Sequence, residues 1–151
     1  MKTLAAIFLL ILIVYNLIIA SFRIYKVKPK LYIFIIGILF SLTFFYLWFN
    51  YAKDLQGFIL GLLAICLFFT FTLCQGIKEY GFLVFLGTTP ILKLVAFDDI
   101  KRVDIYPNKK GGFNLDIKVY SSTFRQTYRD KDRRELINFL DSKLKSRINL
   151  I

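Results

Sequence analysis

The chain begins with three apolar stretches and then changes to alternating apolar and polar positions. The stretches cover about residues 4–21, 31–49 and 57–74, and each holds about 18 residues without a charged side chain. That length is close to what a helix needs to cross a hydrocarbon core. A helix on the surface of a soluble protein would carry charges on one face, and these stretches carry none. The pattern therefore predicts a three-helix transmembrane region within residues 1–75.

From residue 76 onward the hydrophobic period is that of β-strands. The clearest case is "FNLDIKVY", in which apolar and polar residues alternate almost perfectly. One face of such a strand packs on a core and the other meets water. The "NKKGG" stretch at 108–112 predicts a turn, because Asn and Gly tolerate positive φ. The same reasoning predicts five strands, at residues 80–87, 91–97, 100–106, 113–120 and 124–129.

The end of the chain has helical periodicity. Apolar residues recur at helical spacing from Leu136 to Leu144, with charged residues between them. This predicts an amphipathic helix over 132–147, and Asp132 followed by Glu135 matches a capping box. A small open sheet needs its apolar face covered, and the helix would cover it. The predicted fold is therefore membrane α plus α+β: three transmembrane helices, then a small antiparallel β-sheet capped by a C-terminal α-helix.

The basic residues predict the orientation of the chain. The connection after the first stretch holds four of them, whereas the connection after the second holds Lys53 opposed by Asp54. Loops rich in Lys and Arg face the cytoplasm. We therefore expect a multi-pass protein of the cell membrane, with its amino terminus outside and its domain at 76–151 in the cytoplasm. A cleaved signal peptide is the alternative for the first stretch, but only Lys2 precedes it.

Several side chains in the three stretches are candidates for helix packing. Asn16 is polar within an apolar stretch, and such a residue commonly hydrogen-bonds to a neighbouring helix. Small residues four apart allow helices to approach closely, either within one chain or between two copies in a homo-oligomer. The pairs are Gly37 with Ser41 and Gly57 with Gly61. The stretches hold no buried charge of the kind that marks a transport pathway.

The chain offers little material for catalysis. It has no histidine, and its two cysteines, Cys66 and Cys74, belong to the third apolar stretch. Adjacent residues of a strand point to opposite faces, so Asp98 and Asp99 would not converge on one proton or ion. We therefore expect no catalytic residue, no metal site, no cofactor and no enzymatic activity. Nucleic acid is also not an expected partner, because the basic tail shows no helix-turn-helix or stacking platform.

The second half of the chain resembles a bacterial pleckstrin-homology-like (PH-like) domain. The resemblance lies in "IKEYGF", "FDDIKRVDI" and "FRQTYRDKDRRELINFLDSKL". In that family an aromatic, two acids and an isoleucine lead into a strand, as in the run from Phe97 to Ile100, and a helix closes the domain. The resemblance covers about half of the chain and implies a small bacterial membrane protein. A full PH fold has seven strands, compared with the five predicted.

The expected function is binding without catalysis. An exposed strand edge of the domain would accept a protein partner, in a regulatory, assembly or toxin-immunity role. Two alternatives remain: an accessory subunit of a membrane transport complex, and a sensor of anionic lipid. Basic residues near a membrane attract anionic headgroups. The candidates for contact with membrane lipids are Lys109, Lys110, Arg129, Lys131, Arg133 and Arg134.

Overall fold

A computed structural model describes residues 2–85, 90–109 and 111–151, without the side chains of residues 52 and 146. Within the described residues, three helices are long and apolar enough to cross a membrane, so this is a membrane protein. They are α1 (Lys2–Ser21), α2 (Leu31–Leu47) and α3 (Leu55–Leu73), and α2 continues into a π-helical turn at Trp48–Ala52. The three helices predicted from the apolar stretches are confirmed.

The chain forms two compact units. The first consists of Met1–Ser21, Pro29–Cys74 and Phe85–Leu92. In it, the Asp54 carboxylate caps α3 by accepting a hydrogen bond from the Gly57 N–H at 3.1 Å, and it also accepts one from Lys2 at 2.7 Å. Near the end of this unit, Ile91 packs on an apolar cluster formed by α1 and α3.

The second unit consists of Phe22–Lys28, Gln75–Val84 and Lys93–Ile151. Its described residues contribute to two four-stranded sheets, ordered β1-β2-β3-β4 and β7-β6-β5-β8. The helix α4 (Arg133–Leu144) lies between β7 and β8 in the chain. The strands are β1 Tyr25–Lys26, β2 Gly76–Lys78, β3 Gly81–Phe85, β4 Leu92–Ala96, β5 Ile100–Pro107, β6 Phe113–Val119, β7 Ser122–Tyr128 and β8 Ile148–Leu150.

The core of the second unit follows the predicted alternation. In β6 the residues that alternate with Asn114, Asp116 and Lys118 are all buried. Burying such side chains stabilises a sheet by about 25 cal/mol per Å² of apolar surface. The helix contributes Leu136, Leu140 and Leu144, spaced four residues apart on one face. The antiparallel sheet and the C-terminal helix predicted from the sequence are confirmed.

Three short strands extend the five that the sequence predicts. β1 comes from the connection between α1 and α2 and pairs with β2, with Tyr25 opposite Ile77. β8 follows α4 and pairs with β5 in parallel. The predicted helix over 132–147 is therefore shorter, because the chain leaves α4 at Lys145 with φ +52°. That positive φ interrupts the helix and lets the last residues return to the sheet.

The capping box predicted at Asp132 and Glu135 is wrong. Asp132 precedes α4, but its side chain makes no cap hydrogen bond. An N-cap residue normally has extended backbone angles, which aim its carboxylate at the first free N–H groups. Asp132 instead ends a 3-10 turn at Asp130–Asp132, with φ −91° and ψ −1°. Its neighbour Asp130 accepts a hydrogen bond from Gly112 N–H at 2.7 Å, far away in sequence.

Candidate functional site

Asn16 holds a non-helical segment of the membrane unit. Its side-chain oxygen accepts a hydrogen bond from the Leu92 N–H at 3.0 Å, and its amide nitrogen donates to the Pro90 carbonyl at 3.1 Å. A third contact, to the Thr70 hydroxyl on α3, is longer at 3.5 Å. Asn16 is fully buried. One amide thus satisfies two backbone groups that would otherwise lack partners in apolar surroundings.

The small residues of α2 and α3 lie where aromatic rings pack. A Cβ on Gly61 would come within 1.7 Å of the Phe44 ring, and one on Gly37 within 2.5 Å of the Phe69 ring. Ser41 donates its hydroxyl proton to the Gly37 carbonyl, within its own helix. Gly57 lies in the first turn of α3, where its N–H is capped by Asp54. Gly37 and Gly61 therefore give room to phenylalanines of the opposite helix.

The structure brings the β5–β6 turn and the start of α4 together. The Gly112 N–H, in the turn that carries Lys109, donates to the Asp130 carboxylate. Asp130 lies between Arg129 and Lys131, and all three residues are exposed. Two groups of cations that are about 20 residues apart in sequence thus share one surface. Lys110, the other lysine predicted in this turn, lies outside the described residues.

The connection between α1 and α2 adds further cations to that surface. The Lys28 ammonium donates to the Gly111 carbonyl at 3.2 Å. Lys26 lines a cleft of about 330 Å³ together with Arg129 and Lys131, and two acids, Asp132 and Glu135, also line it. Beside it, Lys131 lines a second cleft with two more cations of α4. We call this the basic surface, formed by Lys26, Lys28, Lys109, Arg129, Lys131, Arg133 and Arg134.

The outer face of the second sheet is a network of paired charges. Asp104, 7% exposed, accepts hydrogen bonds from Arg102 and from Asn149 and forms an ion pair with Lys118 at 3.1 Å. Burial alone would raise the pKa of the Asp104 carboxyl, but the hydrogen bonds from Arg102, Lys118 and Asn149 outweigh it and lower that pKa. This carboxylate is ionised and engaged, so it is a structural group.

Asp116 is the centre of a second cluster on the same face. Arg125 donates to both of its oxygens, at 2.7 and 2.8 Å, and the Tyr106 hydroxyl donates to it at 3.1 Å. The hydrogen bonds from Arg125 are the main cause that lowers the pKa of the Asp116 carboxyl. Because the bonds to Asp116 come from β5 and β7, they tie three strands together across β6.

We expect the Asp116→Asn substitution to destabilise the protein by about 1 kcal/mol at pH 7, since Arg125 is half-exposed and solvent weakens the pair. A carboxyl with a lowered folded pKa stabilises the fold above its unfolded pKa of about 4, and that contribution is lost as the pH falls through the folded pKa. The wild type and the variant should therefore converge at acid pH, as the pH falls through the lowered folded pKa of Asp116. Thermal unfolding between neutral and acid pH measures this difference, and Asp141→Asn, at an exposed site on α4, is the matched control.

One strand edge of the second unit is open for half of its length. The Thr127 carbonyl of β7 points away from β6, because it accepts a hydrogen bond from the Lys28 N–H at 2.7 Å. Backbone groups alternate in direction along an antiparallel strand, so those of Thr123 and Arg125 point the same way. Ser122, Thr123 and Arg125 are exposed, and no described strand pairs with them there.

Comparisons with protein-family models, with curated proteins and with solved structures find no significant match to this chain. Within the described residues, no group of three His, Cys, Asp or Glu residues is placed to hold a metal ion.

Proposed function

We propose that this chain is a non-enzymatic membrane protein whose C-terminal domain binds a protein partner by adding a strand of that partner to the edge of β7. The observation that carries the proposal is the exposed backbone of Ser122–Arg125 on a strand of seven residues. Unpaired N–H and C=O groups in a row form a template for an extended segment of another chain.

The other strands at the sheet ends are less suited to accept a partner. β1 has two residues and β8 has three, and such short edges hold a partner strand poorly. β4 has five residues, but its first one, Leu92, already donates its N–H to Asn16. The carboxylates of Asp104 and Asp116 on the outer sheet face are paired with cations, which supports binding over acid–base chemistry.

We further propose that this domain is PH-like and faces the cytoplasm. Seven strands, β1 to β7, precede α4 in the described chain, which is the number in a PH fold. The orientation is supported by the four basic residues between α1 and α2, since such loops stay on the cytoplasmic side. An extended segment of a cytoplasmic or membrane-bound protein would suit this edge.

The test is a Thr123→Pro substitution. Proline removes the outward N–H and obstructs a partner strand, while the ladder with β6 does not use that N–H. We expect a partner crosslinked through a photoreactive residue at Ser122 in native membranes to be lost in this variant. Thr123→Val, which keeps the N–H and the β-propensity, should retain it.

Two results would contradict this proposal. One is equal crosslinking from a photoreactive residue at Ser142, on the exposed surface of α4. The other is equal recovery from Thr123→Pro and Thr123→Val when both variants unfold at the wild-type temperature. A crosslink between two copies of this chain would show that the partner is a second copy and that the protein forms a homo-oligomer.

A further inference from the structure

We infer that the basic surface is a contact site for the phosphate groups of anionic lipid headgroups, which holds one end of the C-terminal domain at the bilayer. This inference is independent of the edge of β7, and it assigns Lys26 and Lys28 a role beside the cations recognised in the sequence. The surface draws cations from three separate parts of the chain, at 26–28, 109 and 129–134.

Hydrogen bonds join these three parts of the chain. The Gly112 N–H bonded to Asp130 fixes the turn of Lys109 beside the start of α4. The Lys28 ammonium bonded to the Gly111 carbonyl fixes the connection between α1 and α2 beside the same turn. Lys26, Arg129 and Lys131 then line one cleft. Folding therefore concentrates cations that the sequence disperses, and a concentrated patch attracts an anionic surface more strongly than scattered charges.

A short length of chain separates the basic surface from the start of a membrane span. Only Pro29 and Lys30 separate Lys28 from Leu31, the first residue of α2. Three residues reach at most about 10 Å even when fully extended. That distance is close to the screening length of about 8 Å at physiological ionic strength. The Lys28 backbone is therefore held within about 10 Å of the start of a membrane span.

The acids of the basic surface do not neutralise its positive charge. Asp130 is occupied by the Gly112 N–H, and Asp132 and Glu135 line the cleft near Lys26. The cations outnumber these three carboxylates, so the surface keeps a net positive charge. Cytoplasmic loops of any membrane protein are rich in Lys and Arg, but that bias does not require cations from distant strands and helices to meet in one place.

The experiment measures hydrogen exchange of the full-length protein in lipid nanodiscs. One nanodisc holds phosphatidylcholine alone, and the other also holds about 30% phosphatidylglycerol. At about 50 mM salt, the amides of 108–113 and 128–135 should exchange about fivefold more slowly in the second. At about 500 mM salt the difference should disappear, since the screening length falls to about 4 Å. Equal exchange in both nanodiscs at low salt would overturn the proposal.

A pair of triple variants identifies the residues responsible. Lys26, Lys109 and Lys131 are exposed on the basic surface, and changing them to Glu should abolish the effect of phosphatidylglycerol. The control changes Lys101, Lys143 and Lys145 to Glu, at the opposite ends of β5 and α4. Both triples alter the net charge equally, so loss of the effect in both would overturn the assignment to this surface. Equal slowing of exchange by inorganic phosphate in detergent, at matched ionic strength, would also overturn the assignment to a bilayer.

Discussion

The Asn16→Leu substitution is expected to destabilise the membrane unit by about 3 kcal/mol and to free the amide of Leu92 for hydrogen exchange. Leucine suits an apolar helix, so composition alone would predict a neutral or stabilising change. The structure predicts the opposite, because the Leu92 N–H and the Pro90 carbonyl would both lose their partner. Each orphaned polar group in an apolar environment costs about 1–3 kcal/mol.

Two further variants separate this effect from ordinary helix packing. Thr70→Val removes the 3.5 Å contact to Asn16 and the hydrogen bond from the Thr70 hydroxyl to the Leu67 carbonyl within α3. The Leu67 carbonyl lies within the helix and the partners of Pro90 and Leu92 stay in place, so the stability should change by less than about 0.5 kcal/mol. Leu17→Ala, at an exposed position beside Asn16 on α1, controls for a change in the helix itself. The measurements are the exchange rate of the Leu92 amide and the midpoint of thermal unfolding in nanodiscs. If Thr70→Val matches Asn16→Leu, the residue serves helix–helix contact and the segment 90–92 does not depend on it.

The elements that the sequence predicts are those with long periodic patterns. Three apolar stretches of about 18 residues identify α1 to α3, and regular spacing of leucines identifies α4. The alternation in residues 113–120 likewise identifies β6. In each case the pattern repeats often enough within one element to distinguish its period.

The three strands that the sequence does not predict have no hydrophobic pattern to detect. β1, β2 and β8 have two or three residues each, which is too short for alternation to be visible. Their existence depends on pairing with partners far away in sequence, such as Tyr25 with Ile77. β8 in addition requires the chain to leave α4 at Lys145 with a positive φ, an angle unusual for lysine.

The candidate surfaces could be predicted from the sequence only in part, because they too depend on contacts between residues far apart in the chain. Lys109 and the cations around Arg129 stand out as charge clusters, but their union depends on the hydrogen bond from Gly112 to Asp130. Lys26 and Lys28 fit the usual basic bias of a loop between spans, which hides their place in the domain. The role of Asn16 toward Pro90 and Leu92 is likewise tertiary, and periodicity does not report such contacts.

The Gly76→Ala substitution is expected to detach β1 from the second unit and to lower its stability by about 3 kcal/mol. A Cβ at this position would lie 2.3 Å from the Tyr25 carbonyl oxygen. That oxygen belongs to the backbone, so it cannot rotate away as a side chain would, and β1 must move. The Ile24 N–H would then lose the Ile77 carbonyl, and the Lys28 N–H would lose the Thr127 carbonyl.

Gly111→Ala is the matched control for this variant. Within the described residues, apart from its chain neighbours, no heavy atom lies within 4 Å of a Cβ at Gly111. The cost therefore arises from the φ of +80° and should be about 1 kcal/mol. Hydrogen exchange should show unprotected Ile24 and Lys28 amides in Gly76→Ala and protected ones in Gly111→Ala. Protection of the β2–β3 amides in both would show that only β1 has left the sheet.

Such a result would make the connection between two membrane helices an integral strand of the C-terminal domain. Any ligand that displaced or fixed β1 would then bind or release the segment Phe22–Lys28, which continues directly into Ser21 on one side and Pro29 on the other. By linkage, a ligand changes an equilibrium only through its different affinities for the two states, here β1 docked and β1 detached. Unchanged protection of Ile24 and Lys28 in Gly76→Ala would show that β1 tolerates the added methyl group, and the loop would offer no such connection.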